Sequence, residues 1–310
     1  MKEEKLEKSI EKISAAAAIL SLTEIGLGSL LHSFKIPFSG HFLSLNQALI
    51  LGKTQLSIKH SNYSKICPSQ ISLISSLLKS LSPAGKKLTP MLAISTQGLL
   101  FNFGTLLFGI NPIGVWVGTT LLCLWGFIQP IGIYVLLFGE NLLFMARYFL
   151  KKFSVFTNIT TNDVWTILFI LIGVKITLGT FVSVLIFTLE KDKYHSWQNK
   201  LIKNAEGKKS RLSQQFQAQG FKSSIKSAIR DLLNPLFLIT WSFTVIFFLY
   251  AKSTHSSTIW ILCRPVIIGF LLFLTVRLIP MHNLYSFLQK CGFNNFSKIL
   301  KSSIDKLKKL

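Results

Sequence analysis

Five stretches of this chain, 88–110, 112–139, 163–189, 233–251 and 257–280, stay apolar long enough to cross a lipid bilayer, a distance that takes about 20 residues of helix. No soluble core has room for so many uninterrupted apolar runs. Lipid offers backbone groups no partner, so each run must satisfy its own hydrogen bonds as a helix. The expected fold class is therefore all-α: a polytopic helical membrane protein. A sixth run, 13–33, contains Glu24, yet from Ala15 to Leu31 it is otherwise apolar or small. Two shorter Ser- and Leu-rich stretches, 37–52 and 67–81, have the length of tilted spans, re-entrant segments or interfacial helices.

Charge orients these runs. The chain has 34 Lys and Arg against 12 Asp and Glu, a net charge of +22 over 310 residues, yet only 15% of residues are charged and 50% are hydrophobic. Such an excess on a soluble protein would point to nucleic acid. Here the basic residues fall mostly between apolar runs, which excludes a histone-like protein, a disordered basic tail and an ordinary soluble enzyme, and leaves no nucleic-acid partner. The segment 190–232 holds ten Lys and Arg, 140–162 three, and 252–256 only Lys252. Loops rich in Lys and Arg stay cytoplasmic, so 190–232 is inside. Counting outward and backward places both termini in the cytoplasm, with eight spans as the expectation and six as the alternative. The expected location is a bacterial inner membrane.

The expected organisation is a cytoplasmic N-terminus (1–12), a membrane bundle (13–189), a basic cytoplasmic segment (190–232), two further spans (233–280) and a basic tail (281–310). Met1 to Lys12 carries four Lys and four Glu, unlike the net-positive start of a signal peptide, so the first apolar run is expected to remain in the mature protein. In the tail, Phe296, Ile299, Leu300, Ile304, Leu307 and Leu310 recur at helical spacing between lysines. That pattern predicts an amphipathic helix lying on the anionic inner leaflet.

Polar residues at bilayer depth face protein or water. Glu24 sits at mid-depth, on a face with Ser14, Ala17, Ala18, Ser21 and Gly28; small residues mark close helix packing in membranes. Lys175, central in 163–189, is the expected countercharge of Glu24. The pair reads either as a solute site or as a buried ion pair that fixes packing. Arg264 is a third charge inside an apolar run. In 88–110, Gln97 lies beside Gly98, Asn102, Thr105 and Gly109, and the next run holds Gly114-Val-Trp-Val-Gly118, a helix-packing pattern.

Residues 31–53 place His32, His41, Pro37, Gly40 and the pair Asn46-Gln47 at the outer end of the first span. Pro and Gly break helix, and irregular backbone near a membrane lines cavities, so this stretch reads as a polar solute-binding loop. No Cys or acid accompanies the two His at metal-ligand spacing. The four Cys, Cys67, Cys123, Cys263 and Cys291, form no CxxC pair and read as small apolar side chains. The expectation is no metal and no cofactor. No Walker loop, Gly-x-Ser-x-Gly or HExxH motif occurs, so no catalytic residue is assigned and no enzyme is expected.

Ile36-Pro37-Phe38-Ser39-Gly40 after a small-residue first helix, followed by Ser44-Leu45, resembles the substrate-binding membrane subunits (S components) of energy-coupling-factor vitamin transporters. Residues 13–189, read as six helices with both ends inside, are similar to that family in size and topology. In the family the first helix offers an Ala-xxx-Ala surface to a coupling subunit; here the relaxed forms Ser14-xxx-Ala18 and Ala17-xxx-Ser21 stand in its place. The resemblance implies a ligand site from the first external loop and the later helices, which implicates His41, Asn46, Gln97, Asn102 and Lys175. It also implies cytoplasmic ATPases and a coupling membrane subunit as partners, beside the lipid bilayer and a small-molecule ligand. The remaining segment 190–310 has no counterpart in that pattern. The expected function is a solute-binding subunit of an uptake transporter, the alternative a structural or assembly membrane protein.

Overall fold

The computed structural model describes residues 2–33, 39–79, 88–139, 161–190, 221–233 and 281–309, with parts of 193–196, 238–246 and 263–274. Every regular element among them is helical: α1 (Lys2–Ser33), α2 (Ser39–Ser57), a short 3-10 turn (Asn62–Lys65), α3 (Cys67–Lys79), α4 (Leu88–Phe108), α5 (Pro112–Phe138), α6 (Thr161–Thr188), α7 (Phe221–Leu232), α8 (Met281–Lys290) and α9 (Asn294–Lys309). Three are long and apolar enough to cross a membrane, over Leu88–Phe108, Pro112–Gln129 and Trp165–Thr188. Residues 140–160, most of the basic segment and most of the expected spans 233–251 and 257–280 lie outside the described residues.

Local chemistry sets the helix ends. Gly109, at φ +81°, closes α4 in the left-handed conformation that only glycine adopts without cost. The Asn111 side chain accepts from the Gly114 N–H at 2.8 Å, and Pro112 opens α5, so the pair forms an N-cap followed by a proline whose missing N–H is no loss. The α4–α5 connection is thus three residues. α5 continues through Pro130 to Phe138 without splitting. Residues 39–57 are one helix, so within the stretch 31–53, expected as a polar loop, His41, Asn46 and Gln47 sit on α2.

The chain forms two compact units, one of residues 1–126, 174–218 and 280–310, the other of 127–173 and 219–279. In the first, successive helices run in opposite directions. Asn46 donates to Thr23 at 3.1 Å while Lys12 reaches the Ser57 carbonyl, so α1 and α2 are antiparallel. Ser75 donates to the Ala17 carbonyl and Lys79 meets Glu24, so α3 runs parallel to α1. Ser76 bonds the Met91 carbonyl, and a Cβ on Gly98 would strike Ser72, which sets α4 antiparallel to α3. Phe101, Ile71, Ile74, Leu78, Ile94, Leu20 and Ile50 fill the core between them.

α9 corrects one expectation. Its apolar residues Ile299, Leu300 and Leu307 are buried, and the helix packs along α1. Ser14 donates to the Ile299 carbonyl at 3.3 Å, and Lys306 lies 3.5 Å from Glu11. The face expected to enter the leaflet is occupied by α1, while Lys298 and Lys301 are exposed. The contact with α1 keeps Ile299 and Leu300 from water without a leaflet.

In the second unit, Gly139 ends α5 at φ +68°, and the Arg264 guanidinium donates to the Leu136 carbonyl at 3.4 Å. A cation at a helix C-terminus meets carbonyls that lack intrahelical partners. Arg264 therefore caps α5.

Candidate solute-binding site

One stripe of α2 carries the polar interior. His41, Ser44, Gln47, Leu51 and Gln55 recur every three or four residues, the spacing of one helix face. Gln47 donates to Ser72 of α3 at 3.1 Å and to the Ile94 carbonyl of α4 at 2.8 Å. Gln55 donates to the Ser64 carbonyl and to Thr105 of α4. Ser44 accepts from the Gln97 amide at 2.7 Å and donates to the Gly40 carbonyl. At the first turn, His41 Nδ1 meets Lys175 Nζ of α6. An ammonium has no lone pair, so the ring nitrogen accepts.

Lys175, near the middle of α6, is 7% exposed. No carboxylate pairs with it among the described residues. Gly126 of α5 faces His41 without a side chain: a Cβ there would stand 3.5 Å from Nδ1. α2 and α6 run in parallel from this point, with Gly52 against Ile186 and Lys53 on the Leu189 carbonyl. Lys175 thus meets His41, and one turn further along the same face of α2 Gln97 meets Ser44.

Glu24 belongs elsewhere, and here the expected pairing is corrected. Its carboxylate lies 3.9 Å from Lys79 of α3, not against Lys175, and Lys79 also donates to the Glu24 carbonyl. α3 runs parallel to α1 and ends beside Glu24, which brings its terminal Lys into the core. Gly28 leaves space for this ammonium, since a Cβ there would stand 3.3 Å from Nζ. Ser14, Ala17, Ala18 and Ser21 are all buried, covered by α3 and α9, so this small-residue face is filled from within the chain. Gly118 packs against α4, where a Cβ would stand 2.6 Å from the Phe101 carbonyl oxygen, while Gly114 faces the Gly109 carbonyl in the turn. The Gly114/Gly118 pattern therefore closes the α4–α5 hairpin.

Of the residues expected at a site, the structure brings His41 and Lys175 together and sets Gln97 against Ser44 one turn further along α2. Asn46 bonds Thr23 on α1, Gln47 bridges α3 and α4, and Asn102 is buried in α4 beside Thr105. His32 is in α1, but its side chain lies outside the described residues. The side-chain oxygens of Asn46, Gln47, Gln55 and Asn102 are buried without a hydrogen-bond partner. Sequence reasoning missed Lys79, Ser44, Ser72 and Gln55. Lys79 is legible in sequence only as the one charge of the ambiguous stretch 67–81, Ser44 and Gln55 only as hydroxyl- and amide-bearing positions of the α2 stripe, and Ser72 only as one of the serines of 67–81. No family model, no curated protein and no solved structure matches this chain.

Proposed function

We propose that the chain is a solute-binding membrane subunit of an uptake system for a small molecule such as a vitamin. The observation that carries the reading is the Lys175–His41 contact: a buried cation in the middle of a span-length apolar helix, met by an imidazole of α2, with the Gln97–Ser44 hydrogen bond one turn further along α2. Intramembrane ionisable residues are retained at substrate and ion paths because they are costly elsewhere. The reading includes eight spans, both termini in the cytoplasm and a bacterial inner membrane. It also includes energy supplied by separate ATPases, as the resemblance to energy-coupling-factor S components implies. The small-residue face of α1 is already covered, so a coupling subunit would dock on the basic segment 190–232. Uptake of radiolabelled vitamins into cells with and without coupling subunits tests this, together with mass spectrometry of the purified protein. The expected result is a retained small molecule and coupling-dependent uptake. An empty protein and no uptake across the panel would overturn it.

The closed Glu24–Lys79 pair favours a second reading, a structural or assembly protein with no transported ligand. Under it, substitutions at Lys175 change stability alone.

A further inference from the structure

Among the described residues of the first unit two lysines are buried, and their surroundings differ. Lys79 has the Glu24 carboxylate beside it. Lys175 is buried to a similar degree, yet its hydrogen-bond contact is an imidazole nitrogen, and no carboxylate pairs with it among the described residues. An imidazole that accepts a hydrogen bond relieves the ammonium of part of its desolvation cost but leaves its charge uncompensated. The first turn of α2, which holds His41, brings the positive end of a helix dipole to the same place. Gln97 presents its amide nitrogen one turn further along, where it donates to Ser44. Gly126 keeps the His41 side free of a side chain. The charge gathered here is positive, and no carboxylate among the described residues balances it.

We infer that this site takes an anionic group from its solute, a carboxylate above all, and that Lys175 is its countercharge. The inference rests on the solute-binding reading and narrows it to organic anions. A cationic solute would be repelled by Lys175, and a neutral one would leave the buried charge as costly as before. A carboxylate supplies the missing negative charge and accepts from Lys175 in a charge-assisted hydrogen bond.

The test uses the full chain in phosphatidylcholine nanodiscs, at constant ionic strength, with matched acid and amide probes: nicotinate against nicotinamide and benzoate against benzamide. Equilibrium dialysis reads the affinities. Each acid is expected to bind at least about tenfold more tightly than its amide, the ratio set by one hydrogen bond to a charged group. Lys175→Met is expected to abolish the preference and Lys175→Arg to keep it. The acid-to-amide ratio of the unsubstituted protein stands as a readout even where a variant fails to fold. Equal binding of acids and amides would overturn the inference while leaving the solute-binding reading in place. Failure of all four probes to bind would overturn both.

Discussion

Glu24 and Lys79 close on each other inside the first unit, their charged groups 3.9 Å apart and their side chains 5% and 6% exposed. Removing one partner strands the other charge away from water, which costs about 3–5 kcal/mol, whereas replacing both by apolar residues is often near neutral. Glu24→Met or Lys79→Met alone should therefore lower the unfolding midpoint in detergent steeply, and the double variant should recover most of the loss. Additive losses would mean that the two residues act independently.

The α4–α5 hairpin depends on missing side chains. A Cβ on Gly104 would meet the Gly118 backbone, and one on Gly118 would stand 2.6 Å from the Phe101 carbonyl oxygen. Backbone cannot swing aside as a side chain can, so Gly118→Ala should cost about 1–3 kcal/mol by overpacking. Gly132→Ala, where nothing lies within 4 Å, should leave thermal stability unchanged or slightly raised, because alanine favours helix. Equal effects at the two positions would contradict the close crossing.

Legibility in the sequence followed the strength of the physical signal. The helices over 88–110, 112–139 and 163–189 were readable almost to their ends because long apolar runs admit one backbone solution. α1 begins eleven residues earlier than its apolar run, at Lys2, and within that extension Glu11 meets Lys306 of α9, 295 residues away in sequence. Pairing was the harder part. Depth along a span is visible in sequence, but azimuth and neighbour order are not, so Lys175 matched Glu24 in depth while α3 delivered Lys79 instead. For the same reason the tail's amphipathic pattern was read correctly and its partner was not: an apolar stripe says that it will be buried, and not whether lipid or α1 covers it.

α9 acts as a clasp on α1. Ile299→Asp places a carboxylate in a fully buried apolar position and should destabilise the protein by several kcal/mol, about 3 or more. Lys298→Glu and Lys301→Glu, at exposed positions, should stay within about 0.5 kcal/mol. Thermal unfolding of the full chain in detergent measures all three. An unchanged midpoint for Ile299→Asp would contradict the packing.

Cysteine labelling reports the proposed orientation. Cys291 is exposed, while Cys67 and Cys123 are buried. In a Cys263→Ser background, a membrane-impermeant maleimide should label Cys291 in right-side-out vesicles only after permeabilisation. Labelling of intact vesicles would place the C-terminal helices outside.

The central claim, that Lys175 and His41 border a solute site, meets its most direct test at Lys175→Cys in a Cys263→Ser, Cys291→Ser background, which leaves only the buried Cys67 and Cys123. A site that admits a solute must open to water. The account predicts that a water-soluble thiol reagent applied from the outer side modifies residue 175 in the folded protein while Cys67 stays unmodified. A residue 175 as inert as Cys67, reacting only on unfolding, would contradict it.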